Sequence, residues 1–198
     1  MTSRPLVLAS TSPFRRELLA RLGLSFETTA PDVDERPLPG ESAEHLVRRL
    51  AEAKALAVAA AYPDALIIGS DQVASIDGLL LGKPGNRERA IAQLEQAAGR
   101  AVVFHTGLCL LRASDGHAQV VCEPFKVHFR PLTRAQIEVY VDRERPFNCA
   151  GSFKSEGLGI ALFAGLEGED PNALIGLPLI RLIDLLAQAG IDVLADRP

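Results

Sequence analysis

The sequence predicts an α/β protein built on an elongated, mixed β-sheet. Three observations carry that expectation. Two short apolar runs, residues 5–9 and 65–69, read as buried strands. Helical apolar spacing follows the first of them. Two longer strand patterns, residues 101–112 and 118–130, are joined by the turn Ser114-Asp115-Gly116. Strand–helix units beside hairpins make a mixed sheet flanked by helices, not a closed barrel.

The elements follow in order. After the first strand, Ser12 suits an N-cap and Pro13 the first helical position, which predicts a helix over 13–22. A short strand is expected at 24–28, then the acidic, proline-bounded loop Pro31-Asp32-Val33-Asp34-Glu35-Arg36-Pro37. Ser42 caps a long helix reaching Tyr62, and Pro63-Asp64 ends it. The apolar run Ala65 to Gly69 is the next strand. A hairpin from Val73 to Leu81 turns at Asp77-Gly78. Asn86 opens a helix ending near Gly99, and Thr133 with Gln136 forms a capping box for a helix over 134–143. Residues 147–163 alternate small, polar and apolar groups, and a last helix spans about 178–189.

Bulk properties exclude several classes. With 198 residues, 47% of them hydrophobic, the chain can bury a real core. A net charge of −4 speaks against a general nucleic-acid binder. No run approaches the roughly 18–20 apolar residues of a membrane span, and the first residues lack a signal-peptide pattern. A cytoplasmic location without membrane or nucleic-acid partners is the expectation. Cys109, Cys122 and Cys149 are widely spaced, odd in number and lack zinc-ligand spacing, so they read as packing residues. The four histidines form no paired motif.

Five places could carry chemistry. Arg15 and Arg16 sit in the first turn of the first helix, where free N–H groups and the helix dipole already favour an anion. Asp71 follows the strand 65–69 at its carboxyl end, where open α/β sheets bind ligands. Lys54 falls inside the apolar arc of its helix, between Leu50 and Val47. Lys83 is held on a turn between Gly82 and Pro84. The acidic loop gathers carboxylates that repel unless a cation joins them. A sixth stretch, Gly151-Ser152-Phe153-Lys154-Ser155-Glu156-Gly157, resembles a ligand loop, though no Walker-type spacing exists in the chain. Each has a plain structural alternative: a surface turn with solvated arginines, a turn aspartate, a snorkelling lysine, a solvated acidic loop.

Together these pieces resemble the Maf family of nucleoside triphosphate pyrophosphatases. The matching segments are Leu8-Ala9-Ser10-Thr11-Ser12-Pro13-Phe14-Arg15-Arg16, Val33-Asp34-Glu35, Lys54, Gly69-Ser70-Asp71-Gln72, Gly82-Lys83-Pro84, Cys149 to Gly157, and Gly176-Leu177-Pro178. They occur in family order and cover nearly the whole chain, so the resemblance implies a single domain over 1–198 with two lobes around a central cleft, often dimeric, and hence a homodimer as a further expectation. It implies hydrolysis of a nucleoside triphosphate to a monophosphate and pyrophosphate with a divalent cation, Mg²⁺ or Mn²⁺. It puts the catalytic carboxylate on Asp71, phosphate contacts on Ser10, Arg15, Lys54 and Lys83, and metal contacts on Glu35 and Asp71. Base choice falls on Phe14, Gln72 and Glu156. These resemble the branch that prefers 7-methyl-GTP, with Phe14 where tryptophan is more usual. The alternatives are a pyrophosphatase for another ordinary or modified nucleotide, and a nucleotide-binding regulator of cell division with little turnover.

Overall fold

The computed structural model describes residues 4–195. Its elements are β1 (Leu6–Ala9), α1 (Pro13–Ala20), β2 (Glu27–Thr29), α2 (Ala43–Ala59), β3 (Leu66–Ile76), β4 (Leu79–Leu81), α3 (Arg87–Ala97), β5 (Ala101–Arg112), β6 (His117–Phe129), α4 (Arg134–Glu144), β7 (Phe163–Glu167), α5 (Pro171–Ile175) and α6 (Leu179–Gln188). Short 3₁₀ turns at Ala150–Ser152 and Leu158–Leu162 lie between α4 and β7. The strands form one mixed sheet in the order β2-β1-β3-β5-β6-β7, with β4 also on β3. Strand β1 runs parallel to β2 and β3, and the remaining pairs are antiparallel.

Strand β3 departs from the sequence expectation. The polar Ser70-Asp71-Gln72 reads as a break after residue 69, yet the strand continues to Ile76. The reason is β5, which pairs with it without interruption from Leu66 to Ser75. Asp71 therefore lies in mid-strand, and the expectation that it follows a strand end is corrected. The strand that does end here is β1, which stops opposite Gly69. On the same edge β4 takes up pairing only at Ala74. The edge of β3 from Ser70 to Val73 is left open between them. The turn from β3 to β4 is the expected one, with Asp77 at φ 48° and Gly78 at φ 82°, two left-handed residues that match hairpin twist.

Alternation along β3 sorts its side chains. Ile67, Asp71 and Val73 face α2, while Leu66, Ile68, Ser70 and Gln72 face the opposite layer. That opposite layer holds two cores. In one, α1 and α6 pack leucines against β1 and β3. In the other, α3 and α4 cover β5 and β6 around Phe104, Phe129, Phe153 and Phe163. Their rings meet edge to face, Phe153–Phe163 at 4.8 Å and Phe104–Phe153 at 5.0 Å. These are the two lobes. Short α5 bridges them: Leu174 belongs to the phenylalanine core, and Ile175 packs on the leucine core.

On the other face α2 lies directly on the sheet. A Cβ at Gly69 would stand 2.0 Å from the Ala51 carbonyl oxygen, and one at Gly107 would stand 2.0 Å from that of Val47. Only glycine permits this approach, which places α2 against the open stretch of β3.

Candidate active site

The open edge of β3 is the floor of a cleft of about 350 Å³ between the lobes. One wall is the β1–α1 turn, carrying Ser10, Phe14 and Arg15. Asp71 and Gln72 rise from β3, Lys54 descends from α2, and Glu35 reaches in from the acidic loop. Lys83, just past β4, and Glu156, from the glycine-bearing loop after α4, complete the rim. All nine residues given roles by the family resemblance thus border one space. Arg16, Asp34 and Lys154 do not line it.

The geometry at its centre is a shared cation. Lys54 Nζ lies 2.6 Å from Asp71 Oδ1 and 2.6 Å from Glu35 Oε1. Lys54 is 5% exposed, so snorkelling does not account for it; its charge is balanced inside the protein. The close seat of α2 on Gly69 and Gly107 brings the lysine within reach. Burial works against the charge of Glu35, but the hydrogen bond and charge of Lys54, with the charges of Lys83 and Arg15, outweigh it and hold its carboxyl below the usual range. Burial lowers the Arg15 guanidinium pKa, and the charges of Asp71 and Glu35 oppose that shift. Ser12 caps α1 through the Arg15 N–H, and the Ser12 N–H donates to Ser10 Oγ at 3.2 Å. Lys83 is exposed at the mouth.

The far wall is α5, a stretch to which the sequence pattern assigns no element. It is tied down by side chains from α1, β3 and β5. Arg15 Nε donates to the Gly176 carbonyl at 2.8 Å, and Ser70 Oγ donates to the same oxygen at 3.0 Å. Gln72 Nε2 donates to Ala173 O at 2.6 Å, and the buried Thr106 hydroxyl donates there at 2.9 Å. The Gly176 carbonyl lies just past the helix end, and the Ala173 carbonyl, which also accepts the Gly176 N–H at 3.0 Å, takes these side-chain donors as further partners. The amide nitrogen of Gln72 is therefore committed to α5. The signals for α5 were present: Asp170 caps it, Pro171 opens it, and Gly176 closes it at φ 124°.

The acidic loop is divided. Asp34 pairs with Arg36 at the surface, and that hydrogen bond lowers its carboxyl to about 2. Glu41 pairs with Arg49 of α2, which holds it at about 2. Glu35 alone of the three turns to Lys54. Sequence reasoning also passed over Asn148 and Cys149 as cleft residues. Burial raises the Cys149 thiol.

Two carboxylates already converge on one cation position, and hard oxygen donors of this kind suit Mg²⁺ or Mn²⁺ when phosphate oxygens and water complete the shell. Among the described residues no group of three His, Cys, Asp or Glu could hold a metal alone. The pair fits a divalent ion that arrives with an anionic substrate.

A cleft at the break of a mixed sheet, lined by the carboxylates of Glu35, Asp71 and Glu156 and the cationic side chains of Arg15, Lys54 and Lys83, defines an α/β protein with a charged interlobe site. The chain belongs to the Maf-like proteins, whose family model matches residues 5–189. It is 62% identical over 189 residues to a protein of Nitrosococcus oceani named 7-methyl-GTP pyrophosphatase, covering 96% of this chain and 95% of the relative. Proteins of the same name from Vibrio vulnificus and Pseudomonas aeruginosa are 59% and 57% identical, covering 98% and 95% of this chain and 100% and 98% of theirs. No helix among the described residues is long and apolar enough to cross a membrane.

Proposed function

We propose that this protein hydrolyses 7-methyl-GTP to 7-methyl-GMP and pyrophosphate. The observation that carries the reading is the Lys54 ammonium held at 2.6 Å by both Asp71 and Glu35, in a cleft that Arg15 and Lys83 also border. The relatives named 7-methyl-GTP pyrophosphatase, at 57–62% identity over nearly the full chain, supply the substrate.

A triphosphate brings about four negative charges into the cleft and needs cations around it. Arg15, Lys54 and Lys83 provide three, and the Ser10 hydroxyl provides a hydrogen bond. Asp71 takes a proton from a water molecule and aims it at the α-phosphorus. The new bond joins that oxygen to the α-phosphorus. The bond to the oxygen bridging the α- and β-phosphates breaks, and pyrophosphate leaves with the electron pair. Glu35 and Asp71 would hold the divalent cation, Mg²⁺ or Mn²⁺, which when bound offsets phosphate charge and polarises the phosphoryl group.

Methylation at ring nitrogen 7 makes guanine cationic. Phe14 offers a ring face for that cation, and Glu156 balances its charge and accepts hydrogen bonds from the guanine edge. Gln72 shapes the same end through its hold on α5. The reading places the reaction in the cytoplasm, where nucleoside triphosphates are, and the three free cysteines suit that compartment.

The test is a panel of nucleoside triphosphates with pyrophosphate detection, run on the wild type and on Glu156→Gln. The expected result is preference for 7-methyl-GTP over GTP in the wild type and a reduced preference in the variant. Equal preference in both refutes the role of Glu156. Faster release from another nucleotide overturns the substrate, and binding without release in the presence of Mg²⁺ or Mn²⁺ favours a nucleotide-binding regulator.

A further inference from the structure

The loop that carries Glu156 is held from outside the cleft, by α4. Lys154 looks in the sequence like a ligand-binding cation, but its ammonium turns away and donates to the Glu144 main-chain carbonyl at 2.7 Å. That carbonyl ends α4, where a helix has no internal donor left to offer and a cation is favoured. The Lys154 N–H donates to the Tyr140 hydroxyl at 3.0 Å. Four residues on, the Leu158 N–H donates to Glu144 Oε1 at 3.2 Å. Both ends of the loop are thus fastened to the last turn of one helix.

Between the fastenings the loop closes on itself. The Lys154 carbonyl accepts N–H groups from Gly157 at 3.3 Å and Gly159 at 3.1 Å. A Cβ at Gly159 would stand 2.1 Å from that carbonyl oxygen, and one at Gly157 would stand 3.0 Å from Glu144 Oε2. Just before the loop, Phe153 is locked among the core phenylalanines. Ser155 and Glu156 are left facing the cleft.

We propose that Lys154, Glu144 and Tyr140 form a clamp that positions Glu156 and so sets selectivity for the base. None of the three lines the cleft, so they are positioning residues that act through Glu156. The proposal rests on Glu156 being the carboxylate that reads the base. A clamp of this kind acts on discrimination between substrates, because the phosphate end of the cleft is built from other elements.

The experiment measures kcat and KM for 7-methyl-GTP and for GTP in the wild type, Lys154→Met, Lys154→Arg and Glu156→Gln. In Lys154→Met the preference for 7-methyl-GTP falls about tenfold, as the weakening of one hydrogen-bonded contact to the base produces. The change appears in KM, with kcat for both substrates within about twofold of wild type. Lys154→Arg, which keeps a donor for the helix end, restores the preference. A folded Lys154→Met with wild-type preference overturns the clamp, as does an equal fall in kcat for both substrates. Should Lys154→Met fail to fold, Tyr140→Phe removes one oxygen and carries the same comparison. If Glu156→Gln loses the preference while the clamp variants keep it, the clamp fails and the reading of Glu156 stands. If Glu156→Gln also keeps it, that reading fails first.

Discussion

The seat of α2 on the sheet is what makes the Lys54 contacts possible, and Gly69→Ala tests it. The added methyl would stand 2.0 Å from the Ala51 carbonyl oxygen, against an ordinary contact of 3.4 Å or more, so strand and helix must separate by about 1.4 Å. Both partners are main chain, so no side-chain rotation relieves the clash. Lys54 lies one turn beyond Ala51 and moves with the helix. Its contacts of 2.6 Å to Asp71 and Glu35 then lengthen to about 4 Å, beyond hydrogen-bond range. Overpacking of this kind costs about 1–3 kcal/mol. For a chain of this size that lowers the thermal midpoint by roughly 2–12 °C. The larger effect is on turnover, where a misplacement of about 1 Å costs on the order of a hundredfold. Calorimetry and pyrophosphate release from 7-methyl-GTP measure both. Gly165→Ala is the control, since its Cβ meets nothing closer than 3.9 Å. If Gly69→Ala melts and turns over like Gly165→Ala, the packing account of Lys54 is wrong.

Other outcomes follow from the same contacts. Lys54→Met leaves Asp71 and Glu35 without their common cation, and destabilisation of about 1–3 kcal/mol is expected in metal-free buffer, less than for a fully buried pair because Glu35 is half exposed. Added Mg²⁺ should raise the melting temperature of this variant more than that of the wild type; an equal or smaller rise denies the carboxylates a metal role. Asp34, Glu35 and Glu41 all have depressed carboxyl pKa values. Whatever they contribute to holding the acidic loop is complete above the ordinary carboxylate range and is lost as pH falls through their folded values, about 2 for Asp34 and Glu41. Carboxyl NMR titrations should give those low midpoints, and midpoints near 3.8 and 4.5 would contradict the ion pairs.

Much of the site can be read from residue types. A lysine in an apolar stripe and an aspartate just past a buried apolar run each ask for a partner, and the structure makes them each other's. What brings them together is not legible, because the glycines that admit α2 stand at 69 and 107, in different strands, and nothing local marks them as contact points for a helix. The length of β3 was misread for a related reason: Ser70-Asp71-Gln72 looks like a break, and only pairing with β5 keeps it extended. Helix α5 is too short to have a period, although its caps were in plain view. Lys154 was misleading because a charge in a glycine-rich loop looks the same whether it meets a ligand or a helix end. Its direction is a tertiary fact, decided by the last turn of α4.

The central claim is that Asp71 primes water for attack on the α-phosphorus. Hydrolysis of 7-methyl-GTP in ¹⁸O-labelled water, with both products analysed by mass spectrometry, tests it most directly. The account predicts label in 7-methyl-GMP and none in pyrophosphate, with turnover lost in Asp71→Asn while nucleotide binding is kept. Label in pyrophosphate, or wild-type turnover by Asp71→Asn, contradicts it.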